Sequence, residues 1–326
     1  MNCTLRLLTL RLLFACAILA ASPWAPAQTW PAKPIRIIAP FAPGGGADFM
    51  ARLTSAPLSQ ALGQPVVVEN RVGASGIIGY DHTLKSPADG YSIVVVSTTY
   101  SIIPALYKLP YDPIKDMQPI IALTRGPYIV AVHPSVPAKN IRELIALAKA
   151  SPESVTYASS GNGANLHLVT EMFASMAGIK MLHVPFKGTG PAITATVGGQ
   201  TAVVFGSMYT TLPLVRAGRL RALAVSSAQR NPAAPEIPTV AESGLPGYDT
   251  FDWQGVVGPR GMPRPIVERL NAEFAKIMQT RELSDRLLAD GVVPSPGTPE
   301  EFGTFIAKEI DLVRGIVNQA GIKLEQ

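Results

Sequence analysis

The stretch IRIIAPFAPGGGAD, residues 35–48, passes from an apolar β-type segment through three consecutive glycines into the start of an amphipathic pattern. A strand, a loop and a helix in that order leave the first N–H groups of the helix without intrahelical partners and turn its positive dipole end toward the loop. Such an end accepts an anion. Gly44, Gly45 and Gly46 remove the side chains that would keep a ligand off the main chain, and Asp48 is placed to cap the helix through its carboxylate. An ordinary tight strand-to-helix turn has the same signature. A second loop of the same kind, residues 159–167 (SSGNGANLH), strengthens the ligand reading.

Working outward, residues 35–40 read as a buried strand and 48–62 as a helix stopping at Gly63. Residues 66–68 form a second strand, followed by a glycine-containing loop with Ser75 and a short helix at 77–85. Residues 91–96 form a third strand ending in the polar cluster Ser97, Thr98, Thr99 and Tyr100. Strands alternating with helices imply a parallel sheet, with ligand groups at the carboxyl ends of its strands. Strands at 119–123 and 128–132 flank Arg125, Gly126 and Pro127, and the second opens a new α/β series. That series runs through a helix at 141–150 capped by Asn140, a strand at 155–158, the second glycine loop and a helix to 177. It continues with strands at 181–184, 202–205 and 220–225 and helices at 191–197 and 212–217. Gly178, Gly198 and Gly218 are expected as left-handed C-caps.

The last third holds a proline-rich segment (231–248), a strand at 253–257 and helices at 263–278 and 281–289. Thr298 and Glu301 form a capping box with Pro299 at the first helical position, opening a helix to 319. A helix-rich tail with too few strands for its own sheet must pack back on the first domain. The expected domains are therefore 28–124 together with 227–326, and 125–226, joined by a hinge with a cleft.

The first residues carry an export signature: Arg6 and Arg11, an apolar run at 12–21, and Ala25-Pro26-Ala27 as the cleavage site. The run is too short to span a membrane. Removing residues 1–27 takes away two arginines, no acid and both cysteines, Cys3 and Cys16, so the net charge falls from +5 to +3. The remaining chain has no thiol for a disulfide or a metal, and no basic run that would suit a nucleic acid. His82, His133, His167 and His183 have no metal-ligand spacing, and no cofactor is expected. His167 behind the second glycine loop is placed either to support that loop or to touch a ligand. Ser75 lies outside a G-x-S-x-G elbow, and nothing places a base beside Ser160; an exported serine hydrolase is the lesser alternative. There is no phosphate-binding lysine after the glycines and no dinucleotide fingerprint.

Eight segments occur in an order that resembles the Bug family, the exported substrate-binding proteins of tripartite tricarboxylate transporters. They are WPAKPIRIIAPFAPGGGADFMAR (30–52), GQPVVVENRVGASGIIG (63–79), SPADGY (86–91), YASSGNGANLHL (157–168), HVPFKGTGPA (183–192), RAGRLRALAVSS (216–227), PTVAESGLPGY (238–248) and GMPRPIVERLNAEF (261–274). The resemblance implies an α/β, two-domain type II periplasmic-binding-protein-like fold with an interdomain ligand cleft, in a protein of the periplasm that is not an enzyme. It implies as partners a small organic carboxylate and integral membrane transporter subunits, or else a membrane sensor kinase; a monomer is expected.

Carried over to this sequence, the resemblance points to Phe41, Ala42, Pro43, Gly44, Gly45 and Asp48 in the first loop and to Ser160, Gly161, Gly163 and His167 in the second. Ser75, Thr98, Tyr100, Gly206 and Ser207 complete the expected site. Gly206 stands where many family members have an acid, which argues against an amino-acid ligand. A di- or tricarboxylate is expected, or an aromatic carboxylate stacking near Phe41, Tyr100 or Tyr209.

Overall fold

The computed structural model describes residues 30–320, so the export segment expected at 1–27 and both cysteines lie outside the described residues. From Lys33 onward the chain builds two sheets. The first begins with β1 (Ile35–Ala39), α1 (Gly46–Leu62), β2 (Val66–Asn70), a turn of 3₁₀ helix (Ala74–Gly76), α2 (Ile77–Leu84), β3 (Ser92–Ser97), α3 (Thr98–Leu106) and β4 (Met117–Gly126). After Pro127 the chain enters the second sheet with β5 (Tyr128–Val132), α4 (Ile141–Ala150), β6 (Thr156–Ser159), α5 (Asn165–Ala177) and β7 (Leu182–Pro185). It continues there with α6 (Thr189–Val197), β8 (Val203–Ser207), α7 (Met208–Arg216) and β9 (Arg221–Val225). It then returns to the first sheet through β10 (Asp252–Pro259), α8 (Arg264–Gln279), α9 (Arg281–Ala289), β11 (Val293–Pro294) and α10 (Pro299–Ala320).

The first sheet has the order β11-β4-β10-β3-β1-β2 and the second β7-β6-β8-β5-β9. β1 pairs in parallel with β2 and β3, Ile35 facing Val66 and Ile37 facing Ile93. The sheet is nevertheless mixed. β10 arrives from the second sheet and wedges antiparallel between β3 and β4. The two crossings meet at one serine: Tyr128 N donates to Ser226 Oγ at 2.8 Å, and that hydroxyl donates to Thr250 O at 2.7 Å. One short polar cluster therefore ties both connecting segments together.

Burial explains why the tail folds back. Trp253 and Val257 on β10 meet Phe302, Ile306 and Ile310 of α10 in one core with Ile38, Val94 and Val96. Trp253 stands edge-on to Phe302 at 5.9 Å and to Phe305 at 5.3 Å. The caps read from sequence form as expected at two helices: Asn140 Oδ1 accepts from Glu143 N at 2.9 Å, and Thr298 and Glu301 bond reciprocally at 2.8 and 3.1 Å. At α6 the expectation fails by one residue. Gly198 has φ −81°, and Gly199, at φ +73°, supplies the left-handed step.

One difference bears on function. The polar cluster after β3 is not a strand end, because Thr98 begins α3. That helix carries Tyr100 into the core, where it is fully buried, meets Tyr80 edge-on at 5.0 Å and donates to Pro113 O at 2.8 Å. Tyr100 thus leaves the cleft, a correction to its expected ligand role.

Candidate ligand site between the two lobes

The glycine loop after β1 meets the second lobe directly. Ala42 N donates to Lys187 O at 3.0 Å. The fit is close: a Cβ on Gly190 would come within 2.5 Å of Pro43 O, and one on Gly188 within 3.1 Å of Phe41 Cβ. The lobes are closed on each other.

Behind this contact lies an enclosed cavity onto which five helices open. Gly45, Gly46 and Ala47 come from the start of α1, Ser97 from α3, Asn165 from α5, Thr189 from α6 and Ser207 from α7. None of the five helices is capped at its N-terminus by a hydrogen bond from its N-cap side chain. The arrangement directs several positive dipole ends and their N–H groups at one small space. Some of those donors are already engaged, since Asn165 N reaches Thr99 Oγ1 at 3.1 Å and Leu166 N reaches Asn165 Oδ1 at 2.9 Å. Phe41, Ser160 and Gln254 complete the wall, which contains no charged side chain.

The cavity itself is about 10 Å³, about enough for one water. Phe41 and Ser160 also border an adjoining groove of about 370 Å³ lined by Ser75, Tyr107, Gly161 and Lys187, a volume in the range of small-molecule sites. Ser75 holds the groove together across the lobes, donating to Asn162 O at 2.5 Å from a backbone with φ +51°. A positive φ at a serine is strained and needs such support.

Gly46 is the most closely packed residue of the cavity wall. A Cβ there would lie 2.2 Å from Tyr209 OH and 3.0 Å from Gln254 Nε2. Asp48, the third residue of α1, serves the loop rather than the cavity. Its carboxylate accepts from Gly44 N at 3.1 Å, Arg52 Nε at 3.0 Å and Asn70 Nδ2 at 3.0 Å. Burial alone would raise its pKa, but the bonds from Arg52, Gly44 and Asn70 outweigh burial and hold it below the usual carboxylate range.

The second loop is buttressed from behind. His167 Nδ1 accepts from Gly163 N at 2.9 Å, which fixes its proton on Nε2, and its ring stacks on His183. Ser159 Oγ lies 2.5 Å from His183 Nε2. That serine–histidine pair is no hydrolytic site, because Ser159 is fully buried and its hydroxyl also engages Gly161. Ser160 Oγ donates to Asn165 Oδ1 at 2.8 Å. Among the described residues no group of three or more histidine, cysteine, aspartate or glutamate residues could hold a metal.

Of the residues expected from sequence, Phe41, Gly45, Ser160 and Ser207 border the cavity, and Ser75 and Gly161 border the groove. Pro43 and Gly44 face a separate outer hollow, and Ala42 makes the contact between the lobes. Gly163 and His167 support the second loop, while Thr98 Oγ1 turns to Asp252 at 3.3 Å. Gly206 is a correction: a Cβ on it would fall 1.9 Å from Thr211 Oγ1, so its side-chain direction leads into α7. Sequence reasoning missed Ser97, Asn165, Thr189 and Gln254, and the acid beside them, Asp252. The one available signal was HVPFKGTGPA, whose glycines bring the start of α6 against the first loop.

The sequence model described as the tripartite tricarboxylate transporter family receptor matches residues 50–322. Protein BugT of Bordetella pertussis is 37% identical over 328 residues, covering all of both chains. Among solved structures, Rpa4515 of R. palustris, determined with adipate, superposes with a TM-score of 0.87 at 34% identity, covering 90% of this chain and 99% of that one. The periplasmic binding protein BugD gives a TM-score of 0.87 at 30% identity, covering 91% of this chain and all of that one. The architecture is thus the two-domain α/β fold of these periplasmic binding proteins. The chain belongs to the family of tripartite tricarboxylate transporter receptors, the Bug proteins among them.

Proposed function

We propose that this receptor captures a small organic carboxylate, a di- or tricarboxylate, between its lobes and delivers it to the membrane subunits of a tripartite tricarboxylate-type transporter. The observation that carries the reading is the convergence of five helix N-termini on one cavity whose wall has no charged side chain. Backbone N–H groups and hydroxyls replace the hydration of a carboxylate there without burying a counter-ion. In this reading one carboxylate oxygen takes the one-water space of the cavity, and the remainder of the ligand extends past Phe41 into the groove that holds Lys187. The adipate bound to the R. palustris relative has this two-ended chemistry. An aromatic acid keeps Phe41 as a platform, whereas Tyr100 lies in the core and Tyr209 already stacks on Phe49 at 5.1 Å.

The same reading has residues 1–27 removed on export to the periplasm, a hinge between residues 28–124 with 227–326 and residues 125–226, no covalent chemistry, and a monomer that alternates between open and closed. Ligand shifts that balance by binding the closed state more tightly. Calorimetry and thermal unfolding with adipate, malate, citrate, benzoate, aspartate and glutamate test it. Adipate, malate or citrate is expected to bind and stabilise the chain by about 2.7 kcal/mol at a hundredfold excess over Kd. Binding of aspartate or glutamate alone, or hydrolysis of esters without stabilisation by any acid, contradicts it.

A further inference from the structure

Asp252 opens β10 and is 3% exposed, yet no ion pair reaches it among the described residues. Neutral donors surround its carboxylate from both lobes. Ser207 Oγ donates at 2.6 Å, the hydroxyls of Tyr128, Tyr209 and Thr98 each at 3.3 Å, and the amides of Asn165 and Gln254 each at 3.4 Å. Ser207, Asn165 and Gln254 also form part of the cavity wall, so one layer of side chains separates this acid from the proposed ligand position. Gln254 is 3% exposed, and because its Nε2 is turned to Asp252, its Oε1 is buried without a donor.

That orientation suits an ionised Asp252 and opposes an anionic ligand. Two carboxylates so close in a buried, water-poor site repel strongly, and the ionisation of one suppresses that of the other. The titratable groups facing Asp252 cannot relieve this. Tyr128 on β5 and Tyr209 on α7 are pushed well above the ordinary tyrosine range, first by burial and then by Asp252 itself. The groups offered by α3, α5 and β8, Thr98, Asn165 and Ser207, carry no charge. Burial likewise pushes Asp252 upward, toward the protonated form.

We infer that this receptor takes up a proton from solvent together with its carboxylate ligand, storing it on Asp252 and reading it out through a turn of the Gln254 amide. In the free form Gln254 Nε2 donates to Asp252 Oδ2. In the bound form the proton sits on Oδ2 and is donated to Gln254 Oε1, and the amide nitrogen takes the wall position that Oε1 held, where it donates to the ligand. The negative charge added by one ligand carboxylate is balanced by one proton, and the unpartnered acceptor becomes a donor for the anion. This inference rests on the carboxylate-receptor reading.

The test is calorimetric titration of the mature chain at pH 7.5 with adipate, malate and citrate, in phosphate, HEPES and Tris buffers, whose heats of ionisation differ. Wild type is expected to take up about one proton per ligand, with affinity falling about tenfold per pH unit above the pKa of free Asp252. Asp252→Asn, whose amide donates to Gln254 Oε1 without any proton, is expected to bind with no proton uptake and with affinity independent of pH between 6 and 9. The wild-type count decides alone if that variant does not fold. A carboxylate that binds wild type without proton uptake overturns the inference and leaves the receptor reading intact. Preferred binding of aspartate without proton exchange overturns it too, since an ammonium group would then be neutralising an ionised Asp252. If none of the acids binds, both fail.

Discussion

His167 and His183 stack face to face, their ring centroids 4.0 Å apart and their planes 6° from parallel. Tyr157 packs beside the pair, its ring centroid 5.0 Å from His183 and 6.4 Å from His167. The pair holds the second glycine loop through Gly163 N and Ser159 Oγ, and the bond from Gly163 N needs His167 Nδ1 free of a proton.

Burial, and then the neighbouring His167, lower the His183 pKa to about 4. The unfolded chain therefore binds the proton more readily between about pH 6.5 and 4. The stability tied to the neutral ring is complete above pH 6.5 and is lost as pH falls toward 4, after which it levels off. The loss is roughly 1–2 kcal/mol once the part exposure of the ring is discounted. Urea midpoints at pH 7.5, 6, 5 and 4.5 measure it, and His183→Gln is expected to remove that part of the slope.

Gly46→Ala places a methyl group 2.2 Å from Tyr209 OH and 3.0 Å from Gln254 Nε2. Both groups are fixed on Asp252, so they cannot yield freely. The substitution is expected to cost about 1–3 kcal/mol of stability and to weaken carboxylate binding at least ~100-fold, as an ångström-scale misplacement at a preorganised site does. Calorimetry beside circular dichroism separates the two effects.

Gly206→Asp is expected not to create an ammonium site. The new side chain starts 1.9 Å from Thr211 Oγ1 and runs into α7. A thermal melt should show destabilisation of about 1–3 kcal/mol, with no gain in affinity for aspartate or glutamate.

Affinity should respond little to salt, because the cavity wall has no lysine or arginine and helix ends inside a closed cleft are poorly screened. Raising sodium chloride from 50 to 500 mM is expected to change Kd by less than about threefold. A tenfold loss would point to Lys187 in the groove as the main anchor instead.

The elements and the first glycine loop were legible because their signals are local: apolar runs, caps and glycines follow one another along the chain. The cap of α4 and the capping box of α10 could be read for the same reason. α3 was not, because Thr98, Thr99 and Tyr100 resemble a strand end until packing against Tyr80 and Tyr111 turns the chain. The site was half legible. A helix that starts without a side-chain cap leaves no mark in sequence, so Ser97 was read only as part of a strand-end polar cluster and Thr189 only within HVPFKGTGPA. Asp252 and Gln254 alternate within an apolar strand, and only the return of β10 between β3 and β4 brings them beside Ser207 and Asn165.

The central claim is that a carboxylate sits where the five helices begin. Amide ¹H–¹⁵N spectra of the mature chain, recorded as adipate is added, test it most directly. The predicted result is large downfield shifts at Gly45, Gly46, Ala47 and Thr189, with smaller ones along the groove at Ser75 and Gly161. Shifts confined to the outer hollow at Ile193, Thr194 and Gln200, with the amides of α1 unmoved, would contradict it.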